Sequence, residues 1–319
     1  MKIHLPNSAF LGNIDPFLRS FDPSEPDKLV ITSNKNWISI HPVVLSMVAA
    51  LGLTVDSSCI TCESLEAKSR HYLERMGLFK FLKIQSGIAV VEHEPAGRFI
   101  PLTQIKDSET LTKFVTEMMP LLHLEPKHAD PIRHIVTELV RNVIEHSLSH
   151  YGAILSAQYF KKTNTIRIGV VDTGVGIWAT INNAYKKKND IEAIRLALTH
   201  GITGTTRREG GTEFNAGAGL FFIKSIATVN RDFFMIYSGK GMFKLLKRDT
   251  NSIRLHADPS KDRHSEHNDY PFWQGTVVGV DISLNTTEEF SLLLDLIDKV
   301  YKEAIKERKK ERYKKPIFV

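Results

Sequence analysis

The sequence predicts an α/β protein in two parts, a smaller strand-and-helix unit followed by a larger one, and three observations carry that reading. Strand-like and helix-like patterns alternate through residues 1–95, the order that gives a parallel or mixed sheet covered by helices. The segment EHEPAGRFIPLTQIKDS (92–108) mixes Pro, Gly and charge, as a boundary does. A new helix pattern, LTKFVTEMMPLL, then opens a second unit at about 109. With 319 residues, 42% of them hydrophobic, the chain can build two cores of ordinary size.

Within the first unit, LVITS (29–33) reads as a strand and HPVVLSMVAALGL (41–53) as an apolar helix with Pro42 in its first turn. SSCITCE reads as a second strand, and SLEAKSRHYLERMGLFKFL (64–82) as one amphipathic helix. This order resembles the STAS-like modules that accompany some bacterial ATP-binding regulators, which implies a regulatory or partner-binding role for residues 1–95. Cys59 and Cys62, the only two cysteines, exclude a disulfide framework. Their CxxC spacing lacks two further soft ligands for a metal, and the β-branched Ile60 and Thr61 between them favour a strand over a redox helix start.

The formal charge of +6 sits largely in a tail. Residues 302–315 hold eight Lys or Arg against three Glu, so the rest of the chain sums to about +1. Leu293, Leu294, Ile297, Val300 and Tyr301 precede it at helical spacing, so 291–319 reads as a helix whose charged end leaves the packed part. The tail also leaves a nucleic-acid contact open. No stretch approaches the roughly 18 apolar residues of a spanning helix, and the start MKIHLPNSAF has no apolar signal core. A cytoplasmic protein with no membrane contact is expected.

Three segments carry candidate chemistry. In DPIRHIVTELVRNVIEHS (130–147), Asp130 caps a helix with Pro131 at its first position, and Glu138, Asn142 and His146 recur every fourth residue along one side. An ordinary polar face would look the same. In IRIGVVDTGVGI (166–177) an apolar strand ends at Asp172, followed by Gly174 and Gly176. A carboxylate there can accept from the amino group of adenine while the glycines let backbone approach the ring; a hairpin turn is the other reading. In GITGTTRREGGTEFNAGAGLFFIKSIA (201–227), six of the 19 glycines lead into a helix marked by Leu220, Phe221, Ile223 and Ile226. Backbone N–H groups and a helix N-terminus suit a triphosphate, and Thr205, Thr206, Arg207 and Arg208 can close over it; a flexible surface loop is the alternative. No GxxxxGK followed by Ser or Thr occurs.

Taken in order, these segments resemble the boxes of the GHKL superfamily: gyrase-type ATPases, related chaperones and mismatch-repair proteins, sensor histidine kinases and anti-sigma-factor serine kinases. ELVRNVIEHS resembles the first box, DTGVGI the second, DxGxG, and NAGAGL the third, with Asn215, Gly217 and Gly219 in place. In WQGTVVGVDI, Gly275 and Thr276 resemble a fourth. The likeness covers about 110–290 and implies a Bergerat-type α/β sandwich, its mixed sheet covered by helices, that binds ATP and magnesium. It implies that Asn142 holds magnesium, that Asp172 and Thr276 hold adenine, that Gly217, Gly219 and Leu220 lie at the phosphates, and that about 180–216 forms a lid. Glu138 is implied as the base that activates water or a protein hydroxyl, and His146 lies where a basic residue often nears phosphate.

Two departures narrow the branch. No helical hairpin with a phospho-accepting His precedes the ATP region, since His93 is followed by Pro95 and Gly97, and no room is expected after 290 for a transducer domain. The wording is closest to the anti-sigma-factor serine kinases. The expected function is an ATP-binding regulator with weak ATPase or protein Ser/Thr kinase activity and a protein partner or second copy at its N-terminal module. A non-catalytic ATP-gated switch is the alternative.

Overall fold

The structure, a computed structural model, describes residues 1–34, 37–63, 67–86, 99–118, 124–199, 202, 219–247, 255–285, 294–297, 299–300, 302–303 and 306. Strands and helices interleave in the first part: β1 (Lys2–Leu5), β2 (Ser8–Ala9), α1 (Asp15–Arg19), β3 (Leu29–Ser33), β4 (Ser39–Ile40), α2 (Pro42–Leu53), β5 (Ile60–Cys62), α3 (Ala67–Arg75) and α4 (Leu78–Leu82). There follow β6 (Phe99–Ile105), α5 (Ser108–Lys113), α6 (Pro126–Asn142), β7 (Ala153–Phe160), β8 (Thr165–Asp172), α7 (Gly176–Ala184) and α8 (Asp190–Ala197). The last elements are α9 (Gly219–Val229), β9 (Phe234–Gly239), β10 (Gly241–Leu245), β11 (His264–His267) and β12 (Trp273–Ser283). Among the described residues no helix is long and apolar enough to cross a membrane.

The expected parallel sheet is present in small form, as β1-β3-β5 with both pairings parallel. The large sheet differs from the mixed one expected. Its seven strands run β11-β10-β9-β12-β8-β7-β6, every neighbouring pair antiparallel. Short connections explain two of these pairs: β7 joins β8 across Lys161–Asn164, and β9 joins β10 across Lys240 alone, and connections that short force antiparallel neighbours.

Three local expectations also shift. The helix expected over 64–82 breaks at Gly77, whose φ of 79° ends α3 and starts α4. The helix expected from Asp130 starts at Pro126 instead and encloses Pro131, which lies past the first turn and so removes one hydrogen bond from the helix. Phe99–Ile105, expected in a boundary segment, forms the edge strand β6, where Pro101 falls at a register shift opposite β7. Cys59 closes a 3₁₀ turn over Ser57–Cys59, so only Cys62 of the pair lies in a strand.

Alternating side chains divide the large sheet into two buried faces. Ile154, Val171, Met235, Tyr237 and Val277 pack with the first part of the chain in one core. Their neighbours Leu155, Val170, Ile236 and Val278 pack with Ile132, Ile135, Val136 and Leu139 of α6 and Phe221, Ile223 and Ile226 of α9 in another. A helix apolar on every side must be buried on every side, and α2 is buried along nearly its whole length. It lies on β7, β8 and β12 where Gly169 and Gly279 stand opposite each other in register. A Cβ on Gly169 would meet the backbone of Val43 and lie 2.9 Å from the Pro42 carbonyl carbon, and one on Gly279 would lie 2.8 Å from Leu11 Cδ2. Gly169→Ala is therefore expected to cost about 3 kcal/mol, since backbone cannot step aside as a side chain can. Chemical unfolding reads this directly, and an unshifted midpoint would show that α2 is not seated on the glycine pair.

Polar contacts fix the same interface. His41 caps α2, its Nδ1 accepting from the Val43 amide at 3.0 Å and its Nε2 lying 3.0 Å from Asp281 Oδ1. Burial pushes the imidazole pKa down, so the ring is neutral and Nε2–H donates to the carboxylate. Arg167, opposite Asp281 and 3.5 Å from it, stacks over Phe10 and Phe160 at 4.4 and 4.1 Å.

Candidate functional site

The site grows from the ends of three elements on the α6/α9 side of the large sheet. Apolar residues of α6 turn inward and leave Glu138 and Asn142 one turn apart beside the start of α9. A Cβ on Gly219 would lie 2.8 Å from Glu138 Oε2 and 3.4 Å from Asn142 Nδ2, so α9 begins directly against the pair. Leu220 follows it, half-buried against the same core. The amide nitrogen of Asn142 is buried with no hydrogen-bond partner among the described residues, and such a group is normally paired. Glu138 faces Arg141 at 3.8 Å, which also reaches Glu145 at 3.3 Å.

Beyond Asn142 the helix widens into a π turn, Val143–Ser147, and stops at Leu148, held at φ 53°. That end touches the turn that follows β8. The Ser147 carbonyl accepts from the Val175 amide at 2.7 Å, and a Cβ on Gly174 would collide with the Ser147 backbone. His146 stands apart, 36% exposed with Nε2 3.9 Å from Glu145, while its carbonyl accepts from the Thr180 hydroxyl at 3.4 Å.

Asp172 ends β8, and its turn runs straight into α7 at Gly176. The chain thus makes a strand-to-helix turn here and not the hairpin that the same residues also suit. Asp172 is 2% exposed. Its Oδ1 accepts from the Gly174 amide at 2.7 Å, and Thr276 stands opposite it on β12 with its backbone N–H and hydroxyl close enough to favour the carboxylate. Burial pushes the carboxyl pKa up to about 7, against the pull of those donors. Trp273 Nε1 donates to the Asp172 carbonyl at 3.2 Å, and Gln274 Nε2 to that of Gly174.

Asp172, Gly174, Gly176 and Thr276 are thus brought together, Glu138, Asn142, Gly219 and Leu220 form a second group, and the Ser147–Val175 contact joins the two. His146 belongs to neither group. Arg207, Asn215 and Gly217, with most of the basic tail, lie outside the described residues. The expected lid is corrected over its first half: α8 is packed, with Ile191 and Ile194 in the core and Arg195 paired to Glu266, because its apolar face covers β9 and β10.

Sequence reasoning missed His134, which continues the four-residue spacing one turn before Glu138. Burial pushes its pKa down while the Glu138 charge pulls it up, and its ring meets Phe222 edge-on at 5.8 Å. The spacing 134, 138, 142 was the available signal. Cys62 offers little thiolate chemistry, since burial pushes its thiol up to about 11.

The residues fit a magnesium nucleotide in two respects. A buried side-chain amide without a partner can turn its oxygen to a hard cation, and a buried carboxylate at a strand end can accept from a base. Comparison with protein-family models gives no match, and neither does comparison with curated proteins.

Proposed function

We propose that this chain is a magnesium-dependent ATP-binding regulator with a Bergerat-type site, carrying weak ATPase or protein Ser/Thr kinase activity. The observation that carries the reading is the junction of two groups through one contact. Glu138 and Asn142 meet the start of α9, and the π turn that extends α6 abuts the turn holding Asp172. An anion at the start of α9 would meet backbone N–H groups there, with Asn142 beside it for the cation. The purine would reach Asp172 and Thr276 at the other end.

Asp172 selects the base by chemistry. Its carboxylate accepts from the 6-amino group of adenine and repels the 6-oxo group of guanine. Bound ATP would supply the phosphoryl group and magnesium the charge to offset it. The chain's own part is to orient the triphosphate and, at Glu138, to take a proton from the attacking oxygen. We read the N-terminal part as the element that meets a protein partner or a second copy.

Calorimetric titration of the full chain with ATP, ADP and GTP, with and without magnesium, tests this. ATP is expected to bind more tightly than GTP and at least tenfold more tightly with magnesium than without, about 1.4 kcal/mol or more. Equal affinities for the two purines would remove the reading of Asp172.

A further inference from the structure

Three polar residues line up across neighbouring strands below the base corner. Ser238 of β9 stands opposite Thr276 of β12, and Thr276 stands opposite Asp172 of β8. Directly opposed residues project from the same face of a sheet, and the row lies on the α6/α9 side, as do Ile236, Val278 and Val170 two residues before or after each.

The Ser238 hydroxyl is buried and bonded on both sides. It donates to the Gly275 carbonyl at 2.7 Å and accepts from the Ile177 amide at 3.0 Å. Ile177 is the second residue of α7, so one hydroxyl ties the β12 corner to the helix that follows the Asp172 turn. There is no slack between these parts. Gly176, at φ 78°, could not carry a Cβ without placing it 2.9 Å from Ser238 Oγ and 3.2 Å from the Gly275 oxygen.

Gly275 itself sits at φ 101°, inside the register shift between Trp273 and Thr276 where β12 bulges away from β9. A bulge interrupts the ladder, and the Ser238 hydroxyl holds this carbonyl one residue before Thr276.

We propose that Ser238 is a positioning residue for purine selection: by tethering Gly275 to the start of α7 it fixes Thr276, and through Thr276 the direction in which the Asp172 carboxylate faces the base. The proposal rests on the nucleotide reading above and adds its selectivity element. Without the tether, Thr276 no longer holds the carboxylate in line with the adenine amino group. ATP then loses an aligned bond, whereas GTP, which gains none from Asp172, loses nothing.

The test is calorimetric binding of magnesium ATP and magnesium GTP to the full chain as wild type, Ser238→Ala and Ser238→Cys, with the unfolding temperature of each measured without nucleotide. The cysteine variant keeps the buried volume and carries the test if the alanine variant does not fold; its thiol is a weak hydrogen-bonding group. ATP affinity is expected to fall about tenfold with GTP affinity changed less than about twofold, so the preference for ATP drops roughly in proportion. Equal losses for both nucleotides would mean that Ser238 only supports the fold, and an unchanged preference would likewise overturn the proposal. A wild-type chain that binds neither nucleotide, or both alike, would instead overturn the base reading and this proposal with it.

Discussion

Asp172→Asn is expected to weaken ATP binding about 100-fold at pH 8 and, without nucleotide, to raise the unfolding temperature at that pH. The two effects have one cause. The Gly174 amide and Thr276 present donors to this side chain, so an asparagine would turn its oxygen to them and its NH₂ toward the ligand. A donor would then face the amino group of adenine. Losing a hydrogen bond to a charged acceptor costs about 1.5–3 kcal/mol, and a buried donor left without a partner adds to that, which gives the factor of about 100.

Stability moves the other way because the folded protein resists ionising Asp172. Its pKa is raised by burial to about 7, against about 3.9 in an unfolded chain. A raised folded pKa gives stability that is complete below about pH 4 and is lost as pH rises through about 7. By pH 8 that loss amounts to at most about 4 kcal/mol, and asparagine avoids it. Asp232, which burial also raises to about 7, keeps part of the slope in the variant. In the wild type, a ligand that donates to the carboxylate favours its ionised form, so ATP affinity should climb as pH passes 7. Thermal unfolding at pH 5 and pH 8, paired with ATP titration at each, checks all three directions; undiminished ATP affinity in the variant would remove Asp172 from the site.

Why one part of this corner can be read from sequence and another cannot follows from the range of the interactions. The run IRIGVVD ends in a carboxylate and two glycines within five residues, so strand, turn and helix start are encoded locally, and β8, its turn and α7 form there. The stripe of Glu138 and Asn142 is also local, a matter of helical period. Ser238 carries no such mark. It is one serine in FMIYSG, and its role exists only because β9 pairs with β12 in a register that bulges at Gly275. The seating of α2 is intermediate. Its unbroken apolar sequence announces burial on all sides, but the receiving surface depends on Gly169 and Gly279 meeting across two strands more than 100 residues apart. Likewise the strand pattern of β6 is masked by Pro101, which reads as loop until an edge position accommodates it.

Glu138→Gln is expected to cut turnover by about 10² to 10⁴ while changing ATP affinity less than about twofold. The range is what a positioned proton acceptor contributes. Glutamine keeps the shape beside Gly219 and so leaves the close start of α9 undisturbed, but it cannot take a proton. The carboxylate is suited to the part by position: its side chain is 24% exposed, open enough to meet a water or a protein hydroxyl, and its Oε2 lies at the first residue of α9. Arg141, which reaches both Glu138 and Glu145, restrains the side chain without closing it off. Single-turnover assays with ATP labelled at the terminal phosphate separate the outcomes. Label on a Ser or Thr side chain in wild type, lost in the variant, supports a kinase, and slow phosphate release lost in the variant supports an ATPase. Turnover that survives the substitution would strip Glu138 of the role of base. Tight ATP binding with no turnover in either protein would make the chain a nucleotide-gated switch, since the ligand would then act only through its unequal affinity for two conformations.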